Sequence, residues 1–144
     1  METMKKENTI ENYVVRSVKI NVSAERAFAY VASPFNLPLW TNAFKKADDK
    51  TALMVTPNGD LPIGLKTKTN KEAGSIDWYM TMPDNSVGKA YSRIVPSDDT
   101  SCVFSFILLA PPMPLEELEG TLSQQSIILA KELQKLSAIL EDSK

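Results

Sequence analysis

The end of the chain carries the clearest hydrophobic periodicity. Leucines recur there at spacings of three, four and seven, which places them on one face of an α-helix. These leucines are Leu115, Leu118, Leu122, Leu129, Leu133, Leu136 and Leu140. The spacing predicts one long helix from about Leu115 to Glu141, roughly 40 Å long, which is enough to cross a whole sheet.

Upstream of this helix, the periodicity is typical of strands, and turn-forming residues recur at short spacing. The predicted strands are Lys45–Asp49, Ala52–Thr56, Leu61–Asn70, Gly74–Met82, Val87–Val95 and Ser101–Ala110. Short links join antiparallel neighbours, because parallel strands need a crossover of about a dozen residues or more. The pattern therefore predicts a meander.

The beginning of the chain predicts one further strand and two small helices. Residues 12–21 have the composition of a strand, and Ser23 precedes a helical segment that its hydroxyl is expected to cap. Pro34 ends that helix, because proline lacks the amide donor. Residues 35–40 then predict a short helical turn that presents Leu39 and Trp40 to a core.

This order predicts a curved antiparallel sheet of six or seven strands covered by one long helix, which belongs to the α+β class. The length of 144 residues suits a single domain. We expect that domain to span residues 1–144, with residues 1–11 as a flexible N-terminal segment.

The sequence contains no histidine, which excludes Ser-His-Asp and Cys-His catalytic sets as well as metal sites that use imidazole. Any catalysis must then depend on tyrosine, aspartate, arginine or ordered water. Cys102 lies in an apolar strand pattern, so we expect a buried and inert thiol.

The net charge and the local motifs further restrict the classes of partner that we expect the chain to bind. The formal net charge is −2, which gives no strong attraction to nucleic acid. No calcium-loop spacing and no glycine-rich phosphate motif occur, so we expect no metal and no cofactor. The first residues do not resemble a secretory signal, and no apolar run approaches the roughly 20 residues needed to cross a bilayer. We therefore expect a cytoplasmic protein without a membrane span.

Three stretches of the sequence carry residues that are typical of a known fold with this order of elements. They are Ser17–Val31, Ser33–Trp40 and Leu129–Leu136. With them the chain resembles the START-like (SRPBCC) superfamily, whose fold is also called the helix-grip or birch-pollen-allergen fold, and its polyketide cyclase/dehydrase-like branch. The resemblance implies a cavity between the sheet and the C-terminal helix. Members use that cavity for sterols, phospholipids, plant hormones or polyketide intermediates, and some members regulate a chaperone ATPase.

Candidate ligand contacts come from the large apolar residues expected to face the helix. Alternation along the strand Gly74–Met82 places Trp78 and Met80 on the same face, and alternation along Ser101–Ala110 does the same for Phe104 and Phe106. We expect both of these faces to point toward the long helix. The apolar candidates are Trp40, Trp78, Met80, Phe104, Phe106, Leu118 and Leu122. For Trp40, the alternative is a purely structural role in anchoring the small helices on the sheet.

Polar candidates are fewer. Tyr91 and Arg93 lie two residues apart on one predicted strand, hence on the same face, and together they can bind a carboxylate or phosphate group. With Asp77 they are also the candidates for a catalytic role. The alternative for this pair is an exposed position beside the neighbouring strands.

Three functions fit these observations. The first is binding of a small hydrophobic ligand, lipid-like, polyketide-like or aromatic, under the long helix. The second is a cyclase or dehydratase that works without histidine, and the third is a protein-interaction or chaperone-regulating module. The far face of the last strand, with Val103, Ile107 and Leu109, is also apolar, which makes a homodimer a hypothesis.

Overall fold

Seven strands and three α-helices make up the described part of the chain. The structure is a computed structural model that describes residues 13–56, 58–109 and 115–142, with side chains in the last range from Ser123 onward. The strands are β1 (Tyr13–Ile20), β2 (Phe44–Ala47), β3 (Thr51–Thr56), β4 (Gly59–Asn70), β5 (Ser75–Thr81), β6 (Val87–Asp98) and β7 (Ser101–Leu109). The helices are α1 (Ala24–Ala32), α2 (Leu37–Trp40) and α3 (Leu115–Asp142), and a 3-10 helix (Pro34–Asn36) lies between α1 and α2.

The strands form a single antiparallel sheet in the order β1-β7-β6-β5-β4-β3-β2. Strands β2 to β7 follow one another as the predicted meander, and β1 joins the far side by pairing with β7. The sheet curls into a half-barrel with the long helix along it, so the predicted α+β helix-grip fold is confirmed. We call the side of the sheet that carries the buried residues and faces α3 the concave face, and the opposite side the outer face.

The small helices begin where the sequence indicates. The side chain of Ser23 accepts a hydrogen bond from the Arg26 N–H, so the predicted N-cap is confirmed. In α2, Leu37 and Trp40 are both buried, because a spacing of three places them on the same side of the helical turn. The prediction that Leu39 faces the core is wrong. Its side chain is 53% exposed, since it lies on the other side of that turn.

Several strand ends differ from the predicted positions by one to three residues, and two of these differences have a clear physical cause. Strand β2 stops at Ala47 because the next carboxylate, that of Asp48, accepts the N–H groups of Lys50 and Thr51 and closes a turn. Strand β6 continues past Pro96 to Asp98, where the sequence predicts a turn. The register shifts between Pro96 and Asp98, and such a bulge accommodates proline, which has no N–H for the ladder.

The core lies between the concave face and α3. The second half of the predicted leucine stripe is buried, with Leu129, Leu133, Leu136 and Leu140 each at most 3% exposed. The side chains of Leu115, Leu118 and Leu122 lie outside the described residues, as does the predicted flexible segment 1–11. Cys102 is fully buried, and burial raises the pKa of its thiol, in agreement with an inert cysteine.

Candidate functional site

Four aromatic side chains form a cluster on the concave face. Strands β5 and β7 contribute Trp78, Phe104 and Phe106, and α2 contributes Trp40. The Trp40 ring stands edge-on to Phe104 and Phe106, with centroid distances of 6.1 Å and 6.5 Å. The Trp78 ring stacks on Phe106 at 5.5 Å. These geometries are favourable for aromatic pairs, and they join the small helices to the centre of the sheet. We call these four residues the aromatic cluster.

Small side chains on the neighbouring strand make room for this cluster. Ala90 is the β6 partner of Trp78, and Gly88 is the partner of Met80. A Cβ atom built on Gly88 would lie 3.6 Å from the methyl carbon of Met80, so the Met80 side chain extends over this glycine. At these two positions the inner surface of β6 carries only small side chains, so the large side chains of β5 have room to lie across it.

Buried polar atoms without partners lie in the same region. The indole N–H groups of Trp40 and Trp78 and the hydroxyl of Thr67 are buried, and none has a hydrogen-bond partner among the described residues. Thr67 is the β4 partner of Trp78, so the two side chains are neighbours on the concave face. Native proteins pair the large majority of buried polar atoms, which makes a group of unpaired donors in one cluster unusual.

Several apolar side chains of the concave face are only partly buried. Five of them, on β3, β4, β5 and β7, pack on the core but remain partly accessible, namely Met54, Leu61, Met80, Phe106 and Leu108. We call these five residues the accessible set. Their strands run from β3 to β7, so the accessibility is not confined to one end of the sheet. Methionine adapts its shape readily, which suits a wall that must accommodate a bound molecule.

A groove of about 970 Å³ opens at one end of this region, between the helical segment that carries Phe35 and strands β2 to β5. Its floor includes Ala52 and Ile63 of the concave face. Phe35 is 63% exposed at its rim, and Lys45, also on the rim, forms an ion pair with Asp60 at 3.2 Å. The groove therefore gives solvent access to this end of the concave face.

Most of the apolar candidates from the sequence lie together. Trp40, Trp78, Phe104 and Phe106 form the aromatic cluster, and Met80 follows Trp78 on the same face of β5. The side chains of the other two candidates, Leu118 and Leu122, lie outside the described residues.

Asp77, Tyr91 and Arg93 lie on the outer face. Asp77 and Tyr91 are partners across β5 and β6, at positions that alternate with the buried Ile76 and Ala90. The guanidinium Nε of Arg93 donates to the carbonyl oxygen of Ala73 at 2.9 Å. The hypothesis that this trio faces the interior is therefore wrong, since alternation shows that two residues share a face and does not show which face it is.

On the outer face, Tyr91 also contacts a second tyrosine, Tyr79. The Tyr91 ring stands edge-on to Tyr79 at 6.3 Å. Loss of solvation, with smaller effects from Tyr91 and Asp77, raises the pKa of Tyr79. This phenol therefore stays neutral at physiological pH, at a position that does not reach the aromatic cluster.

Sequence reasoning missed Thr67, Met54 and Leu61. The available signal was the alternation in β4, where Leu61, Ile63, Leu65 and Thr67 share one face. Ile63 and Leu65 are buried, which places Thr67 on the concave face with them. The lysines on either side of Thr67 made this end of β4 read as a solvated surface, so the alternation was not extended to Thr67.

Glu132 of α3 connects the long helix to the segment that carries Trp40. Its carboxylate accepts the backbone N–H of Asn42, two residues after Trp40. Burial raises the pKa of Glu132, and the Asn42 N–H and the charge of Lys135 oppose that change less strongly. The carboxylate therefore holds the position of α2 and loses solvation in doing so.

This burial predicts a pH-dependent stability. A carboxyl whose folded-state pKa is raised contributes stability that is fully present below its unfolded pKa and is lost as the pH rises through the folded pKa. Glu132→Gln keeps an oxygen acceptor for Asn42 and removes the charge. The quantity to follow is the difference between the free energies of unfolding of the native chain and of Glu132→Gln. We expect this difference, native minus variant, to decrease from about pH 4 to about pH 7. Urea unfolding at several pH values measures this difference, and an increase with pH would show that the Asn42 and Lys135 interactions outweigh burial.

Within the described ranges, no three cysteine, aspartate or glutamate side chains come close enough to hold a metal ion. No helix in the part of the chain that the structure describes is both long and apolar enough to span a bilayer.

Solved structures with the same architecture identify the fold. A START superfamily protein from Mycobacterium smegmatis superposes with a TM-score of 0.70 at 15% identity, over 93% of this chain and 100% of that chain. The chain has the START-like fold. No protein-family model matches the sequence, and no curated protein is significantly similar to it.

Two further structures with the START-like fold are aromatase/cyclases. One is the di-domain protein BexL of the BE-7585A biosynthetic pathway, with a TM-score of 0.70 at 12% identity over 91% of this chain and 47% of that chain. The other is Zhui from Streptomyces sp. R1128, with a TM-score of 0.65 at 9% identity over 90% of this chain and 93% of that chain. At these identities the likeness extends to the START-like fold alone.

Proposed function

We propose that the chain binds a small apolar molecule between the concave face and α3. The observation that carries this proposal is the accessible set, whose apolar side chains face the interior of the half-barrel and remain partly accessible. Each Å² of apolar surface that a ligand removes from water contributes about 25 cal/mol. A molecule that covers Met54, Leu61 and Met80 is therefore held mainly by the hydrophobic effect.

The aromatic cluster adds flat rings to this apolar surface. Phe106 belongs both to the cluster and to the accessible set, so a flat molecule that reaches Phe106 also meets the ring system around it. Stacking on such rings favours an aromatic or otherwise planar ligand. Two of the similar structures are aromatase/cyclases by name, and a polyketide-like ligand is one form of this proposal.

Binding can be measured through the protein's own fluorescence, since Trp40 and Trp78 are the two tryptophans of the sequence and both belong to the aromatic cluster. We expect the planar fluorophore N-phenyl-1-naphthylamine to quench their emission saturably and to gain intensity itself. Met80→Gln places an amide on the concave face and should weaken this binding about tenfold. Native mass spectrometry of the purified protein tests in parallel for a retained molecule.

The matched control is Val15→Gln, which makes a polar change on the outer face, where Val15 is 49% exposed. We expect this variant to bind the fluorophore like the unmodified chain. The proposal fails if the unmodified chain shows no saturable binding, or if both variants weaken binding equally.

Two further hypotheses from the sequence, the cyclase or dehydratase and the homodimer, stand differently after the structure. The cyclase or dehydratase hypothesis named Asp77, Tyr91 and Arg93 as its proton-transfer groups, and their outer-face positions separate them from the proposed ligand. A homodimer is a second proposal, because Tyr13, Val15, Ile107 and Leu109 are paired neighbours with 36% to 49% exposure on the outer face. Sedimentation velocity over a range of protein concentrations measures that association directly.

A further inference from the structure

We infer that the bound molecule carries a neutral oxygen acceptor, such as a carbonyl, which takes hydrogen bonds from the donors inside the aromatic cluster. This inference rests on the proposed function and adds the chemical class of the ligand. It starts from the unpaired atoms Nε1 of Trp40, Nε1 of Trp78 and Oγ1 of Thr67. A buried donor without a partner costs folding free energy, so a ligand that supplies the partner recovers that free energy on binding.

The three donors belong to side chains that are direct neighbours or that contact Phe106 in common. Thr67 and Trp78 are cross-strand partners on β4 and β5. Trp78 and Trp40 both border Phe106, the one by stacking and the other by an edge contact. Phe106 is itself partly accessible, so a molecule seated against it lies beside both indoles.

The type of side chain decides what the ligand must offer. An indole N–H donates and has no acceptor capacity, so the ligand must accept. A pure hydrocarbon leaves both N–H groups unpaired, and an ammonium group presents further donors to them. An oxygen with lone pairs satisfies the indoles, and the Thr67 hydroxyl can donate to the same group.

The charge of the surroundings favours a neutral acceptor over a carboxylate. Arg16 is the β1 partner of Phe106 and lies on the same face, but its side chain is exposed at the edge strand of the sheet, and its Nε donates to the Ser126 hydroxyl on α3 at 3.0 Å. Its charge is therefore solvated and screened by water. The donors of the cluster are uncharged. Transfer of a carboxylate from water to neutral donors carries a large desolvation cost, whereas transfer of a ketone or ester carries a small one.

Fluorene and 9-fluorenone provide a matched pair of probes, because both are flat tricyclic molecules and they differ only in a methylene replaced by a carbonyl. A purely apolar site prefers fluorene, since the carbonyl loses its hydrogen bonds to water. With the cluster donors available, we expect 9-fluorenone to bind about tenfold more tightly. Quenching of tryptophan emission or titration calorimetry gives both dissociation constants.

Thr67→Val removes the hydroxyl and nearly preserves the shape of the side chain. We expect it to weaken 9-fluorenone binding about fivefold and to leave fluorene binding unchanged. Thr69→Val is the matched control, since Thr69 lies two residues further along β4 and is exposed. Trp78→Phe should reduce the preference for the ketone as well. The ratio of the two affinities is the quantity to compare, because lost packing weakens both probes.

The outcomes separate the two proposals. If neither probe binds, the proposed function fails, and this inference fails with it. If both probes bind with fluorene equal or tighter, the concave face binds apolar molecules and the acceptor inference is overturned. A ketone preference that Thr67→Val, Thr69→Val and Trp78→Phe all leave intact also overturns it, because the preference then arises outside the cluster.

Discussion

Replacement of Gly74 by alanine is expected to lower the free energy of unfolding by about 3 kcal/mol or more. Gly74 has φ +73°, in the left-handed region that favours glycine, and an alanine Cβ there would overlap the carbonyl oxygen of Ile94. That Ile94 residue also donates its N–H to the Gly74 carbonyl at 2.8 Å. Relief of the overlap therefore requires a shift of backbone at the start of β5 and breaks a hydrogen bond to β6.

Gly59→Ala is the matched control for this substitution. Gly59 has φ +113°, but an added Cβ would meet no atom of the described residues within 4 Å. Its cost is limited to backbone strain, about 1–2 kcal/mol. Urea unfolding of the two variants separates strain from overlap, and equal losses would show that the backbone beside Ile94 yields freely.

A second large loss is expected when the buried leucine stripe is interrupted. Leu136 is fully buried on α3, and Leu136→Ala should cost about 2–5 kcal/mol of unfolding free energy. Part of the loss is the transfer of the removed carbon atoms to the core, and part is the cavity left behind. Thermal or chemical unfolding gives the value.

Ile127→Ala tests whether such a loss depends on burial. Ile127 lies on the same helix and is 56% exposed, and alanine is a better helix former than isoleucine. We expect this variant to stay within about 0.5 kcal/mol of the native chain. Similar losses at the two positions would contradict the assignment of the stripe to the core.

The order of elements could be predicted from the sequence because each carries its own local signal. The spacing of Leu129, Leu133 and Leu136 indicates a helix face, and short links rich in turn formers indicate antiparallel neighbours. The polar ends of strands were harder to predict. The Asp48 carboxylate closes a local turn on Lys50 and Thr51, before the predicted end of the strand, and the Pro96 bulge depends on the register of β6 with β7, which tertiary structure sets.

The candidate site could be predicted only in part. The apolar face of β5 identified Trp78, and that of β7 identified Phe104. Strand β6 was misleading because its inner positions carry small residues, such as Ala90 opposite Trp78, while large Tyr91 lies outside. The contact of Trp40 with Phe104 joins segments far apart in sequence, and no local pattern encodes it.

The position of β1 at the edge of the sheet determines the order in which the fold can be completed. Ser17 hydrogen-bonds Ser105 at a separation of 88 residues, and Arg16 hydrogen-bonds Ser126 at a separation of 110. The hairpins from β2 to β7 close short loops, whereas β1 must wait for β7 and α3. During synthesis on the ribosome, β1 therefore remains without its β7 partner until Leu109 has emerged, and we expect its docking to follow the formation of the hairpins.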